Sequence, residues 1–370
     1  GSPAQRVRAT YAQLAKAGQI SAPNDWASLE AQVAEEVGRH RINATPPAAL
    51  LTPQPGRDGT YRFTAAQVEA LRAFVDAQHV NALQTPHPDR AVKDPTAERE
   101  KLHAWLRSFD RLAAELNRPG VIFFTYLKDE PNTEEDYRYI QKWGRAIREA
   151  KSVVKVMVVE QPWTEPGRRG ADTNWGDLFG AVDIWCPLFF LHRQEDAAKR
   201  QALGETVWAY TALCQGPPTP WWHIDYPLLN YRVPAWMAWR DRMKGLLYWG
   251  GMSYWAKVED PWQQAPYYVG KGVIQQGQTG TAYHGEGSLV YPARAVGYDG
   301  IVPTIRLKAL RDGIEDYEYL AILERAGLRA AAEKIVRPLT ETFFKWEKDA
   351  AAYAVARARL AAMIMEAKFK

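Results

Sequence analysis

Two carboxylates stand side by side where an apolar run ends. Val121-Ile122-Phe123-Phe124-Thr125-Tyr126-Leu127 gives way to Lys128-Asp129-Glu130-Pro131. A run of that composition predicts a buried strand, and the C-terminal tip of such a strand is where α/β barrels keep their catalytic groups. Adjacent acids repel and each loses solvation on burial, so one of the two is expected to hold a proton near neutral pH. An acid beside a base is equipment for cleaving a bond by proton transfer. Asp129 or Glu130 could equally cap a following helix, since Pro131 suits a first helical turn and Asn132, Glu134 and Glu135 follow. Neighbours on an extended strand point to opposite faces, so both acids reach one pocket only if the chain turns or bulges at the tip. Lys128 beside them reads as a solvated side chain.

Aromatic residues suggest the ligand. The chain holds 15 Trp and 18 Tyr, more than a core of this size needs, and most of the tryptophans fall between Trp163 and Trp262. Their flat faces suit the C–H side of a sugar ring, while indole N–H and phenol O–H groups suit its hydroxyls. Trp208 and Tyr210 share one face of a strand candidate and Trp249 ends the next, so these three are candidate pocket walls. Trp185 and Trp255 join them as candidate sugar contacts. Filling of the core is the competing reading for any one of these rings. His40 and Arg41 could bond sugar hydroxyls, although an arginine before an apolar segment is as often a salt-bridge partner. The seven histidines are scattered without the paired spacings of zinc sites, so neither a metal nor a cofactor is expected.

Elements that would position these groups alternate along the chain. Helices are expected over 6–18 and 26–39, then an extended, proline-broken segment over 42–51. Helix 63–78, with Thr64 as N-cap, leads to strand 80–84; helix 98–116 leads to strand 121–126; helix 134–151 leads to strand 153–159. Strands at 182–188, 206–213 and 245–249 follow, with helices 196–203 and 232–244 between them. Counting 42–51, that makes seven strand candidates in series. The expected fold is therefore α/β, a TIM-type (β/α)8 barrel with a helical C-terminal extension, in which the first strand is not found. Residues 1–300 form the expected barrel domain and 301–370 the extension. The stretch 270–298 reads as loops and short hairpins. Arg306, Arg311, Asp312, Glu315 and Asp316 sit at helical spacing and are expected to form a structural ion-pair network.

Bulk properties narrow the partners. Among 370 residues, 46% are hydrophobic and 24% charged, an ordinary balance for a globular protein. A net charge of +4 with acids and bases interspersed offers no basic face for nucleic acid. No apolar stretch is long enough to span a bilayer. Cys186 and Cys214 cannot make a disulfide framework, although one bridge between them stays open. Gly1-Ser2-Pro3 reads as a cloning scar, with any export signal removed upstream.

Several motifs resemble those of the bacterial glycoside hydrolase family 123 and its wider relatives. They are His40-Arg41-Ile42, Asp129-Glu130-Pro131, the stretch 182–187, Val207-Trp208-Ala209-Tyr210, the stretch 245–249, Asp260-Pro261-Trp262, the stretch 285–292 and, most specific, the long run 305–320. The resemblance covers about residues 40–325 and lacks the family's N-terminal β-sandwich. It implies a retaining β-N-acetylgalactosaminidase acting on a glycan or glycoconjugate, in which the sugar's own 2-acetamido oxygen attacks C1. Glu130 would then be the general acid and later the base, Asp129 would orient the acetamido group, and Tyr210 would bond its oxygen. Export from the cell, as a secreted or periplasmic enzyme, is the matching expectation. Some positions depart from the pattern: Gly285-Glu286-Gly287 stands where Gly-Asp-Gly is usual, and Ala293, Thr304 and Lys308 replace Gly, Ser and Glu. A glycosidase of the same fold using Glu160 or Asp183 as a second carboxylate is the first alternative. A barrel that binds sugar without cleaving it is the other.

Overall fold

The computed structural model describes residues 2–165, 175–249, 252–253, 255, 261–262, 267–269 and 282–368. The chain opens with helices α1 (Pro3–Lys16) and α2 (Trp26–Arg39), then a small hairpin of β1 (Gln54–Pro55) and β2 (Tyr61–Arg62). From there strand and helix alternate: α3 (Ala65–Gln78), β3 (Ala82–Gln84), α4 (Arg99–Leu116), β4 (Ile122–Lys128), α5 (Glu134–Glu149), β5 (Lys155–Val158) and β6 (Ile184–Trp185). Next come α6 (Gln194–Ala202), β7 (Thr206–Tyr210), α7 (Leu229–Arg240) and β8 (Gly245–Leu247). Thr64 caps α3 in a capping box with Gln67, as its sequence predicts.

Strands β3 to β8 form one parallel sheet in sequence order, curled into a half-barrel. Both faces are buried. Phe124, Met157, Ile184, Cys186, Trp208 and Tyr210 pack together on the concave side, while Phe123, Val156, Val158, Trp185 and Val207 meet the helices outside. Burial on two faces is why these strands read as unbroken apolar runs. Gly245 opens β8 because a Cβ there would stand 2.8 Å from the Trp208 ring.

Six strands of the predicted series are present and one is not. Residues 42–51 make no strand; Ala48–Leu51 is a turn of 3-10 helix. Pro46 and Pro47 remove the amide donors that a ladder would require. Among the described residues no strand joins β8 to β3, so the sheet is a half-barrel rather than the closed eight-stranded barrel expected.

Beyond β8 lie two further hairpins, β9 (Tyr267–Val269) with β10 (Ala282–His284), and β11 (Val290–Pro292) with β12 (Ile301–Pro303). Asp260 and residues 270–281 of the expected loop region fall outside the described residues. The amino-terminal helices pack near β12, where the Tyr11 hydroxyl donates to the Gly300 carbonyl at 3.2 Å. Helices α8 (Ile305–Arg325), α9 (Arg329–Val336) and α10 (Ala350–Lys368) complete the chain. Helix α8 lies close along α7: a Cβ on Gly313 would stand 2.4 Å from the Arg232 carbonyl. Among the described residues no helix is long and apolar enough to cross a membrane.

Candidate active site

Strand β4 carries the acid pair, and its tip is distorted. Pairing with β5 runs Tyr126 to Met157 and then Lys128 to Val158, so Leu127 is an extra residue, a bulge. Three residues on, Glu130 adopts φ of +40°, a left-handed conformation that few side chains take without compensation. Bulge and reversal together provide the turn by which neighbouring side chains share one mouth. Capping of α5 falls to Thr133, whose hydroxyl accepts from the Asp136 amide at 3.2 Å, and not to Asp129 or Glu130. Lys128 pairs with Asp136 at 2.5 Å instead of standing free in solvent.

Each acid is held by a tyrosine from the concave face. The Tyr126 hydroxyl donates to Asp129 Oδ1 at 2.6 Å, and the Tyr210 hydroxyl crosses from β7 to donate to Glu130 Oε1 at 2.5 Å. Burial, then the neighbouring carboxylate, pushes both tyrosines well above their ordinary value. They therefore remain donors at any working pH. Tyr210 was expected to bond a substrate acetamido oxygen; in this state its single proton goes to Glu130. Asn132 fixes the reversed backbone by donating from Nδ2 to the Glu130 carbonyl at 2.6 Å.

A third carboxylate follows β5. Glu160 is 6% exposed, whereas Asp129 and Glu130 are open to solvent. Its Oε1 accepts from the Gln161 amide at 3.1 Å. Burial, reinforced by the Glu130 charge, raises its pKa well above the ordinary carboxylate value. Glu160 is thus a buried acid whose protonated form the fold favours. Asp183 lies at the opposite end of the sheet, accepting from the Val156 amide at 2.9 Å and pairing with Arg148 at 3.1 Å, which removes it from the chemistry.

Of the five aromatic candidates, two reach the mouth. Tyr210 does so through Glu130, and Trp249, 36% exposed, lies two residues past Leu247, the β8 partner of Tyr210. Trp208 lies one layer below, edge-on to Phe124 at 5.1 Å between ring centres, and fills the sheet's concave side. Trp185 faces outward, where its Nε1 donates to Glu205 at 2.6 Å beneath Arg200. Trp255 is fully buried, bonded through Nε1 to the Val290 carbonyl at 2.8 Å. Trp185 and Trp255 thus pack as core rings, and Trp208 packs within the concave face.

His40 and Arg41 belong to the packing of α2. His40 is buried with Nδ1 2.7 Å from the Glu36 carbonyl, and burial lowers its pKa. Arg41 pairs with Glu318 of α8 at 3.7 Å. The charged run on α8 forms the expected network in part: Asp316 meets Arg232 and Arg357, and Arg311 meets Asp312 and Glu315. Arg306 does something else, donating to the carbonyls of Gly285 and Ser288. Cys186 and Cys214 are both free thiols; burial followed by the Glu130 charge pushes Cys214 up to about 11.

Sequence reasoning missed Tyr126, although its alternation with Phe124 put it on the concave face one step below the tip. It also missed the surroundings of Glu286, for which only the flanking glycines gave a signal. Among the described residues no cluster of His, Cys, Asp and Glu could hold a metal ion.

Residues 89–323 match the family model of the glycoside hydrolase 123 catalytic domain. A family 123 glycoside hydrolase from Clostridium perfringens, solved for the details of glycolipid glycan hydrolysis, overlays with a TM-score of 0.49 at 14% identity. That overlay covers 90% of this chain and 64% of the clostridial one, so the chain spans less than two thirds of that relative's length. A β-1,4-D-mannanase from Cryptopygus antarcticus overlays with a TM-score of 0.35 at 12% identity, over 61% of this chain and 79% of the mannanase. No curated protein matches the sequence significantly. His40 and Arg41 fall outside the matched stretch, whereas the acid pair, Glu160, Tyr210, Trp249 and Glu286 all fall within it. With its family match running through more than half of its length and through the tips of β4 to β8, the chain belongs to glycoside hydrolase family 123.

Proposed function

We propose that the protein is a retaining glycoside hydrolase that releases β-linked 2-acetamido hexosamines, N-acetylgalactosamine favoured, with the substrate supplying its own nucleophile. The observation that carries this reading is the bulged β4 tip, which offers two adjacent carboxylates to one mouth, each held by a tyrosine hydroxyl. In the first step the acetamido oxygen bonds to C1 as the C1–O bond to the leaving group breaks. Glu130, as the acid, gives its proton to the departing oxygen. Tyr210 occupies Oε1 and so leaves Oε2 for that transfer. Asp129, its free oxygen directed away from Tyr126, holds the acetamido N–H and balances the positive charge of the oxazolinium ring. Glu130 then takes a proton from water as the water oxygen bonds to C1 and the ring opens, which restores the acetamido group and retains the anomeric configuration.

The competing scheme needs a second ionised carboxylate as nucleophile or base. Glu160 stands near enough to feel the Glu130 charge, and its burial together with that charge favours the protonated form. Substrate assistance needs no such group, and this favours it.

Matched aryl β-galactosides that differ only in a 2-acetamido or a 2-hydroxyl group provide the test, with an aryl β-N-acetylglucosaminide alongside. Release confined to the acetamido sugars, fastest from the galacto form, is the expected outcome. Equal release from the 2-hydroxyl sugar would overturn substrate assistance.

A further inference from the structure

Glu286 is a carboxylate with no part in that scheme, and it is completely buried. Gly285 and Gly287 on either side have φ of +73° and +70°, so the chain turns sharply and drives the side chain between them inward. A Cβ on Gly285 would stand 2.6 Å from Arg306 and from Ile224, and Arg306 holds the turn through its two carbonyl bonds. Inside, Glu286 Oε1 accepts from Trp249 Nε1 at 2.5 Å, and Oε2 lies 2.9 Å from His223 Nε2. The His223 contact is close but poorly aligned for a hydrogen bond, since neither atom has an aligned partner. The Tyr248 hydroxyl, which accepts from the Gly287 amide at 2.8 Å, completes the enclosure.

A buried carboxylate is costly unless its partners are fixed. Here the fold maintains one against a ring that is itself 36% exposed. Most tryptophans on the core side of the sheet are buried, so this partly exposed ring at the end of β8 is unusual. Leu247, the last residue of β8, packs on the concave side and pairs with Tyr210, and Trp249 follows two residues on. Its N–H edge is pinned and its backbone carbonyl accepts from Arg6 of α1 at 3.2 Å.

We propose that Glu286 is a positioning residue that presents the Trp249 indole as a fixed stacking platform for the C–H face of the sugar ring. The inference rests on the glycosidase reading for the identity of the ligand. A carboxylate one methylene longer than the Asp usual in this motif supplies the reach to the indole. The clamp lowers the freedom that the ring would otherwise lose on binding, so its contribution falls on sugar affinity rather than on the chemical step.

Three variants decide it: Glu286→Ala, Glu286→Gln and Trp249→Phe. In wild-type protein labelled with 15N at indole nitrogen, the resonance lost in Trp249→Phe identifies Trp249, and it should shift upfield in Glu286→Ala. With the aryl 2-acetamido β-galactoside, Glu286→Ala should raise KM about tenfold while kcat stays within about threefold. Glu286→Gln keeps an acceptor oxygen and should recover much of the loss. In the Trp249→Phe background, Glu286→Ala should change KM no further, because the clamp has nothing left to hold. A role confined to folding would instead lower the active fraction and Tm with KM unchanged, and that pattern overturns the proposal. So does an indole resonance that does not move. If wild-type protein cleaves no aryl glycoside, the glycosidase reading fails by itself. Addition of methyl β-N-acetylgalactosaminide then decides the platform: a shift of the Trp249 resonance that is lost in Glu286→Ala supports it, and no shift in wild type overturns it.

Discussion

Carboxylates at the β4 tip and carboxylates around α7 live under opposite rules. Asp241, just past α7, is bracketed by Arg240 through bonds of 2.6 and 2.5 Å and by His192 at 3.1 Å, and Asp316 of α8 meets Arg232 at 2.6 Å, Arg357 at 3.1 Å and the Trp236 N–H at 2.7 Å. There, buried negative charge is matched by positive charge. At the tip, Asp129 and Glu130 are instead held by neutral phenols, and the adjacent Lys128 is taken by Asp136. A guanidinium would satisfy an acid and pin its charge state. A phenol orients it and leaves its proton free to move. The difference teaches how to tell a structural acid from a working one: by the kind of partner rather than by burial.

The sharpest way to break that comparison is to neutralise one acid in each region. Glu130→Gln should lower kcat on the acetamido substrate by about 10³-fold or more and leave the denaturant midpoint in place, with Asp129→Asn close behind. Asp241→Asn should do the reverse, because it leaves Arg240 buried without its partner. We expect a loss of about 3–5 kcal/mol in unfolding free energy, read from urea titration, with kcat per folded molecule preserved. A large stability loss in Glu130→Gln would erase the distinction between the regions.

Parity explains what could be read from the chain and what could not. The β4 strand, its acid tip and the strand–helix alternation were visible because buried parallel strands are apolar runs between capped helices. The same double burial hides which way a residue faces, since both sides of such a strand are apolar. Trp185 and Trp208 look alike in sequence, yet one meets Glu205 outside the sheet and the other meets Phe124 within it. The bulge at Leu127 had no residue signature of its own; the need for it was deducible only from two adjacent acids having to share a pocket. Residues 42–51 were misread for the opposite reason, as an apolar composition outweighed the two prolines that forbid a ladder.

A smaller step sharpens the role of the phenols. Tyr126→Phe removes the hydroxyl from Asp129 and nothing else of size, so kcat on the acetamido substrate should fall roughly tenfold, the worth of one hydrogen bond to a charged group. The fold should be untouched. An unchanged kcat would mean that Asp129 needs no orienting partner.

Glu160 provides the subtlest test, because it breaks the rule for α7 without joining the pair: it is buried, has no cation bond among the described residues, and its burial favours the protonated form. Its folded pKa is raised above the unfolded value. Below the ordinary carboxylate range, near pH 4, both states hold the proton and Glu160 costs nothing. As pH rises, the unfolded chain ionises first while the folded protein still holds its proton. The wild type should then lose stability at up to about 1.4 kcal/mol per pH unit until the folded pKa is reached. Glu160→Gln keeps the neutral shape and cannot ionise in either state, so it should gain on the wild type as pH rises from about 4 toward neutrality, until the folded pKa is reached. Urea midpoints of the two proteins across that range give the measurement. A gap that does not widen with pH would mean that Glu160 is ionised in the folded protein. A second negative charge would then stand beside Glu130, and the enzyme carboxylate that substrate assistance dispenses with would be available after all.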